Sequence, residues 1–234
     1  MRISVVIPVL NEARGQLSKV IASASLADEI LLVDGGSNDG TQALIQSLGL
    51  TLLSSPKGRA EQMNAGAALA TGEKILFLHA DVILPIGWKE QLSNTAVPWG
   101  RFDVFFAQDG SSVHQPNGTG KDHLIMAGIA WFMNWRSRIT GISTGDQCQF
   151  FDRSAFETLG GFATIPLMED VEISTRAKKI LGPPLNIALP VAVSPRRWRA
   201  HGYLKTIVLM WRLRWQYWRG TPAEKLHKLY YGGH

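Results

Sequence analysis

The feature of this chain that most constrains its fold is a pair of apolar runs that each end in an aspartate. Lys74–Leu78 is followed by His79-Ala80-Asp81, and Glu29–Val33 is followed by Asp34. Such runs are typical of buried strands in a parallel sheet. Because ligands of open α/β sheets bind at the carboxyl ends of the strands, both carboxylates are predicted to lie at a binding edge. The competing interpretation is that each aspartate only forms a turn.

The remaining first hundred residues alternate between strand and helix patterns. Strands are predicted at Ile3–Ile7, Glu29–Val33, Leu50–Leu53 and Lys74–Leu78, and helices at Arg14–Ala24, Gly40–Leu48 and Arg59–Ala70. Alternation at this spacing predicts an α/β fold, a Rossmann-like and mostly parallel sheet covered by helices.

Composition limits the class of protein. Of 234 residues, 45% are hydrophobic and 18% charged, which is typical of a globular chain. Cys148 is the single cysteine, so no internal disulfide forms, and a packing role is expected for it. No signal peptide is recognised, and the longest apolar run, Leu124–Trp135, has 12 residues. A membrane-spanning helix needs about 20. These observations predict a cytoplasmic protein.

The charge is unevenly distributed along the chain. No acidic residue lies between Glu172 and Glu224, and that window holds ten of the 24 Lys and Arg residues. The rest of the chain has 14 basic and 19 acidic residues. This asymmetry predicts an anionic partner for the C-terminal third: a phosphate-bearing substrate, a lipid surface or nucleic acid.

Two common nucleotide-binding motifs are absent. The glycines of Gly35–Gly40 do not have the spacing of a dinucleotide fingerprint, and no P-loop sequence occurs. What remains is a turn headed by Asp34, whose glycines allow a ligand to approach the backbone closely.

A series of motifs between Ile3 and about Trp198 resembles family 2 glycosyltransferases of the GT-A fold, in the order of that family. They are Ser4–Glu12 for the opening strand, Val33–Thr41 for the second motif, Asn64-Ala65-Gly66 with Thr71-Gly72-Glu73 for the helix before the metal strand, His79-Ala80-Asp81 in place of Asp-x-Asp, Met168-Glu169-Asp170 for the Glu-Asp pair of the base, and Arg197-Trp198 for a later Arg-Trp. The variants Gly58-Arg59-Ala60, Leu78–Asp81 and Arg196-Arg197-Trp198 resemble a bacterial subgroup of small, soluble transferases, some of which are associated with arsenosugar biosynthesis.

The resemblance implies a domain organisation and a donor site. Residues 1–200 would form the catalytic domain, with a nucleotide-sugar half (1–100) and an acceptor half (101–200), and 201–234 a helical appendage. The residues implied to bind the nucleotide sugar are Pro8, Glu12, Asp34, Gly36, Arg59, His79, Ala80, Arg197 and Trp198. Asp34 would accept from a ring N–H of a uracil-like base.

The resemblance also implies the chemistry. Asp81 would bind Mg²⁺ or Mn²⁺, and Asp170, with Glu169 beside it, would take the proton of an acceptor hydroxyl, giving inversion. His79 stands where the family has an Asp; because histidine is a poor Mg²⁺ ligand, we expect it to contact ribose or to pack. The sugar donor is predicted to be UDP-linked, whereas the sequence identifies neither the sugar nor the acceptor.

Other interpretations remain open at several positions. Asp170 can be a first-turn helix acid, Arg59 a solvated helix residue, and Arg196, Arg197 and Arg199 a basic surface. The alternatives for the whole chain are a sugar nucleotidylyltransferase, disfavoured because Pro8–Glu12 replaces its Gly-rich loop, and a non-catalytic nucleotide-sugar-binding or membrane scaffold protein. Acceptor specificity is expected in the loop Asp109–Asp122, the apolar segment after it and the C-terminal helix.

The segment 203–219 is predicted to be an amphipathic helix. Its apolar face would comprise Leu204, Ile207, Val208, Trp211, Trp215 and Trp218, flanked by Lys205, Arg212, Gln216 and Arg219, with Arg214 near the other edge. This face can dock on the catalytic domain or on a second subunit, or lie in a membrane interface and meet a lipid-linked acceptor. Nucleic acid is disfavoured because the aromatic residues share the apolar stripe. A homodimer is left open.

Overall fold

A computed structural model describes residues 1–107 and 121–232. The strands are β1 (Ile3–Val9), β2 (Glu29–Asp34), β3 (Leu52–Ser54), β4 (Lys74–Phe77), β5 (Val82–Ile83), β6 (Trp99–Phe106), β7 (Phe150–Asp152) and β8 (Leu185–Val193). The helices are α1 (Leu17–Ser23), α2 (Thr41–Ser47), α3 (Arg59–Leu69), α4 (Trp88–Ser93), α5 (Lys121–Thr140), α6 (Arg153–Leu159), α7 (Glu169–Leu181), α8 (Arg196–His201), α9 (Tyr203–Trp218) and α10 (Ala223–Tyr231), and a 3₁₀ turn spans Gly145–Gln147.

Within the described residues the strands form one eight-stranded sheet in the order β3-β2-β1-β4-β7-β6-β8-β5. The first four strands are mutually parallel, β7 is antiparallel to β4 and β6, and β8 runs parallel to β6. The predicted α/β class with a mixed, mostly parallel sheet is confirmed. The predicted strands and helices of residues 1–78 all form, with ends that shift by a few residues, as is usual for sequence-based boundaries.

Helix α3 holds the parallel strands in register at their carboxyl ends. The Nε2 of buried Gln62 donates to the carbonyls of Val9 and Val33, both at 2.8 Å. Gly66 lies so close to β1 and β2 that a Cβ there would overlap a methyl of Val6 and lie 3.1 Å from Val33 Cγ2. Asn64 exchanges two hydrogen bonds with the backbone of Phe162, at 2.8 and 2.9 Å. The Asn64-Ala65-Gly66 motif therefore serves to pack α3.

Helix α9 packs on the rest of the protein with a face other than the one predicted. Its buried residues are Thr206 and Leu213, and Leu213 joins Leu226 of α10 in a cluster with Leu167 and Met168. The residues predicted to form the apolar face are largely exposed: Leu204, Val208, Trp211, Trp215 and Trp218, with Ile207 half-buried. Most of that face is therefore not docked on the described part of the catalytic domain, one of the open alternatives, although Trp211 stacks on Phe132 of α5.

Candidate functional site

The loops after β1 and β2 form the first part of the site. Asp34 is buried, and its carboxylate accepts from Ser37 N at 3.1 Å and from Gln42 Nε2 at 2.7 Å. Burial by itself would raise the pKa of Asp34, but the hydrogen bonds from Ser37 and Gln42 outweigh it and lower the pKa. Gly36, two residues on, is exposed and has φ 94°, a conformation that few other residues adopt.

The two loops are joined by hydrogen bonds. Asn11 N donates to Ser37 Oγ at 2.9 Å, Glu12 N to Thr41 Oγ1 at 2.7 Å, and Asn38 N to Asn11 Oδ1 at 3.0 Å. Asn11 itself has φ 57°. Pro8 is buried in β1 opposite Val33, whereas Glu12 is half-buried at the loop. The predicted residues Pro8, Glu12, Asp34 and Gly36 thus come together at one edge of the sheet.

Three possible metal ligands meet beyond the end of β4. His79, Asp81 and Asp146 each offer one ligand atom, and these atoms lie within 4.8 Å of one another. His79 Nδ1 is 3.6 Å from Asp146 Oδ1. His79 and Ala80 are buried, while Asp81 is exposed. One imidazole and two carboxylates suit Mn²⁺ better than Mg²⁺, which prefers oxygen ligands.

This cluster differs from the expectation for Asp81 and His79. The sequence predicted Asp81 as the main protein ligand and assigned His79 to ribose or to packing, whereas the structure places the imidazole within the cluster. Asp146 was missed because it lies 65 positions after Asp81 in a polar segment with no recognisable ligand spacing. Only the fold brings the 3₁₀ turn to the end of β4.

Gly145 connects the metal cluster to the candidate base. A Cβ at this position would overlap the ring of His79, so only glycine allows the imidazole to lie where it does. The backbone N–H of Gly145 donates to Asp170 Oδ2 at 2.8 Å. The site thus places Asp170 one hydrogen bond away from the turn that carries Asp146.

Asp170 lies in the first turn of α7. Its other oxygen, Oδ1, accepts from Val171 N at 2.7 Å. Met168, immediately before the helix, has φ 71°, a strained conformation for a non-glycine residue that is often found at functional sites. Beneath the helix, Gln149 Nε2 lies 2.8 Å from both Ser143 Oγ and Ser174 Oγ, and Ser174 Oγ donates to the carbonyl of Asp170 at 2.7 Å. Buried polar groups therefore fix the start of α7.

Glu169 forms an ion pair with Arg59 of α3. Arg59 Nε is 3.2 Å from Glu169 Oε1, and the glutamate is buried. Burial raises the pKa of Glu169, although the charge of Arg59 acts against this. Burial would lower the pKa of Arg59, but the carboxylates of Glu169 and Asp170 outweigh it and raise the pKa. Arg59 is therefore held by Glu169 although 35% of its side chain is exposed.

The backbone just before the Arg-Trp segment contacts the metal cluster. Ser194 N, just before α8, donates to the carbonyl of Asp81 at 3.1 Å. Trp198 is half-buried and packs edge-on against Phe106, with ring centroids 5.7 Å apart. The side chain of Arg197 lies outside the described residues, as does most of the loop Asp109–Asp122.

Comparison with known proteins identifies the family of this chain. Residues 4–160 match the family model described as "Glycosyl transferase family 2". The chain belongs to glycosyl transferase family 2. A glycosyltransferase of Nostoc sp. (strain PCC 7120), described as uncharacterized, is 34% identical over 99 residues, which are 38% of this chain and 30% of that protein.

Solved structures share the fold of this family 2 chain. A mannosyltransferase of Pyrobaculum calidifontis, in complex with GDP-Man and Mn²⁺, aligns with a TM-score of 0.58 and 24% identity over 91% of this chain and 60% of its own. Glucosyl-3-phosphoglycerate synthase of Mycobacterium tuberculosis, in complex with Mn²⁺, UDP and glucosyl-3-phosphoglycerate, aligns with a TM-score of 0.61 and 20% identity over 91% and 76%. The chain thus spans less than a third of the Nostoc protein and three fifths of the Pyrobaculum one.

Proposed function

We propose that this chain is an inverting, metal-dependent glycosyltransferase that moves a sugar from a UDP-linked donor to a hydroxyl group. The observation that carries the proposal is the contact of Asp170 with the turn Gly145–Gln147, whose Asp146 completes a metal-ligand cluster with His79 and Asp81. This contact supports the proposal because it puts the proposed base next to the residues that would hold the metal. Family membership favours sugar transfer over the nucleotidylyltransferase alternative.

Asp170 would act as the general base. It takes the proton of the acceptor hydroxyl as that oxygen attacks the anomeric carbon, and the bond from that carbon to the diphosphate oxygen breaks on the opposite side. A carboxylate has about four lone-pair sites, so the bonds from Gly145 and Val171 leave acceptor capacity. Those two bonds would hold the carboxylate in one orientation.

The remaining groups would bind and stabilise the leaving diphosphate. A divalent cation held by His79, Asp81 and Asp146 would offset the negative charge that develops there. Arg59, fixed by Glu169, and Arg197 would add positive charge on the protein side. Asp34 is buried and already accepts from Ser37 N, Ser37 Oγ and Gln42 Nε2, so a bond from a uracil N–H would have to replace one of these donors.

Calorimetric titration with UDP, GDP and their sugars, in the presence of Mn²⁺, Mg²⁺ or EDTA, tests this proposal. We expect one nucleotide to bind with a requirement for metal, more tightly with Mn²⁺. Asp81→Ala should abolish the metal requirement together with most of the affinity, while Glu90→Gln, an exposed substitution on α4, should bind as the wild type does. Absence of nucleotide binding under every metal condition would leave only the non-catalytic scaffold alternative.

We also propose peripheral membrane contact through the apolar face of α5 and α9. This face comprises Leu124, Trp131, Trp135 and Ile139 of α5 and Leu204, Val208, Trp211, Trp215 and Trp218 of α9, all exposed. Stacking of Phe132 on Trp211, with centroids 5.7 Å apart, joins the two helices into one surface. Large contiguous apolar surfaces mark sites of association.

The basic residues at the edge of this face favour an anionic lipid surface as its binding partner. Lys205 is exposed at its edge, and Arg219 lies over the ring of Trp215, 4.8 Å from the centroid. Tryptophan beside arginine is the composition of helices that lie at the headgroup level of anionic membranes. Among the described residues no helix is both long and apolar enough to cross a bilayer, so contact through them would be confined to the interface.

Co-sedimentation with phosphatidylcholine vesicles, with and without phosphatidylglycerol, tests the membrane contact. Binding should require phosphatidylglycerol and fall at least about tenfold when Trp211 and Trp215 are both changed to Ser, since burying each ring contributes about 1.5–3 kcal/mol. Ile86→Ser, which removes an equally exposed apolar side chain outside α5 and α9, is the control. A dimer in light scattering that the Trp211/Trp215 variant disrupts, without vesicle binding, would assign the face to a second copy instead.

A further inference from the structure

Arg136 of α5 and Arg214 of α9, referred to below as the arginine pair, are two positive charges without a carboxylate partner in the described part of the chain. Both side chains are half-buried, and neither forms a salt bridge there. Arg136 Nη2 is buried and has no hydrogen-bond partner. The neighbouring Arg101 and Arg138 differ, because both pair with Asp103.

Contacts of their chain neighbours place the two helices of the arginine pair beside the candidate base. Ser137, next to Arg136, accepts from Gln147 Nε2 at 2.9 Å in the turn whose Gly145 bonds Asp170. Leu213, next to Arg214, packs in one cluster with Met168 and Val171, which lie on either side of Glu169 and Asp170.

Burial lowers the pKa of Arg136 to about 9, the charge of Arg214 adds to this, and Asp170 acts in the opposite direction. Burial also lowers the pKa of Arg214, against the carboxylates of Asp170 and then Asp146. Arg136, with a pKa of about 9, therefore stays protonated near neutral pH.

The arginine pair destabilises the folded protein when no anion is bound to it. Two like charges removed from water oppose each other, and a buried N–H without an acceptor loses about 1–3 kcal/mol of solvation. A phosphate placed between the guanidiniums would supply the missing acceptors and cancel the repulsion, because the planar guanidinium matches phosphate oxygens in pairs.

We propose that Arg136 and Arg214 form a subsite for a phosphate group on the acceptor, so that the substrate is a hydroxyl compound that also carries phosphate. This inference rests on the proposed function, because it takes Asp170 as the base. The hydroxyl to be activated must lie within hydrogen-bond reach of Asp170. The arginine pair lies on two helices that contact the residues next to that carboxylate and contribute no residue to the metal cluster. Arg59, by contrast, is already bound to Glu169.

Calorimetric titration of inorganic phosphate into the protein saturated with Mg²⁺ and the nucleoside diphosphate it binds tests the subsite. Phosphate should bind to this loaded protein, and Arg136→Gln and Arg214→Gln should each weaken it about 10- to 100-fold, as expected for a charged hydrogen bond of about 1.5–3 kcal/mol. Arg136→Lys and Arg214→Lys, which keep the charge, should retain part of the affinity. Arg212→Gln, an exposed arginine of the same helix, should bind phosphate as the wild type does.

Three results would overturn the subsite. They are a wild type that binds no phosphate, glutamine variants that bind it unchanged, and phosphate binding that disappears when the nucleoside diphosphate is present, which would assign the arginine pair to the donor. If no nucleotide binds at all while phosphate binding still depends on the arginine pair, the proposed function has failed and the acceptor assignment falls, although an anion site remains.

A competition experiment identifies the source of the phosphate group. Glycerol phosphate and phosphatidylglycerol vesicles both present a phosphate next to hydroxyl groups, one in water and one at a membrane. Displacement of bound phosphate by glycerol phosphate alone supports a water-soluble acceptor, and displacement by the vesicles supports a lipid-linked one. Displacement by neither would overturn the assignment to an acceptor.

Discussion

The loops after β1 and β2 differ from the surface formed by α5 and α9, called the wall below, in whether their charged side chains have partners. In the loops, Asp34 accepts from Ser37 and Gln42, and Asp39 accepts from Thr41 and Ala13 N. In the wall, Arg136 and Arg214 have no carboxylate partner among the described residues, and Arg136 Nη2 is buried without an acceptor. The carboxylates of the loops thus have hydrogen-bond donors without a ligand, whereas the proposed phosphate would supply the acceptor that Arg136 lacks.

The two regions also differ in how closely their helices pack. Helix α3 lies against β1 and β2 at Gly66, where no Cβ fits, whereas Gly128 of α5 has no atom near the position of a Cβ. A closely packed region carries the predicted donor residues, and an open helix surface carries the proposed acceptor and membrane contacts. The difference predicts that substitutions will mainly affect stability in the first region and substrate use in the second.

The largest effect is expected from Asp170→Asn. Removing the base should lower the rate of transfer about 10²- to 10⁴-fold, the usual contribution of general base catalysis. Donor binding should persist, because the carboxylate bonds to Gly145 and Val171 rather than to the donor residues of the loops. Single-turnover kinetics combined with calorimetry measure the two quantities. Unchanged transfer would exclude Asp170 as the base.

Gly145→Ala should weaken metal binding while the protein remains folded. The added methyl overlaps the His79 ring, so the imidazole must move out of the cluster, and Mn²⁺ affinity should fall about 10- to 100-fold. Electron paramagnetic resonance titration of Mn²⁺ gives the affinity. The double variant Gly145→Ala/His79→Ala should bind Mn²⁺ no more weakly than His79→Ala alone; an additive loss would contradict the role given to the imidazole.

Gly66→Ala and Gly128→Ala form a matched pair in the middle of two helices. Overlap with Val6 should make Gly66→Ala destabilising by about 1–3 kcal/mol. Gly128→Ala should stabilise the protein by about 0.5–1 kcal/mol, because alanine has less conformational freedom to lose in an open position. Urea unfolding monitored by circular dichroism measures both, and equal effects would mean that α3 and α5 are packed alike.

The smallest effects concern the pH dependence of stability, and they have opposite signs at Asp34 in the loop after β2 and at Glu169 of α7. The pKa of Asp34 is lowered from 3.8, so the unfolded chain binds more protons, and the stability it contributes is lost as pH falls below that value. The pKa of Glu169 is raised from 4.5, so its contribution is lost as pH rises above that value. In urea unfolding across this range, Asp34→Asn should flatten the acid limb, and Glu169→Gln should reduce the loss at higher pH.

The sequence predicted the parallel half of the sheet well because its signals are local. An apolar run such as Lys74–Leu78 has to be buried, and a glycine after a helix or strand marks where it ends. The roles of individual donor residues stay predictions. Geometry adds that Asp34 is held by its own loop, that Arg59 pairs with Glu169, and that Trp198 packs on Phe106.

The sequence alone determined the fold class and the family, and it predicts the edge of the sheet at which a ligand would bind, because strand burial and motif order follow from local sequence. Only the tertiary structure decided which side chains complete the site. Asp146 joins His79 and Asp81, and Leu213, next to Arg214, packs on Met168 near Asp170, across dozens of residues of intervening chain. Helix α9 alone has two faces of similar hydrophobicity, and packing of Leu213 against Leu167 and Met168 selects which of them remains exposed.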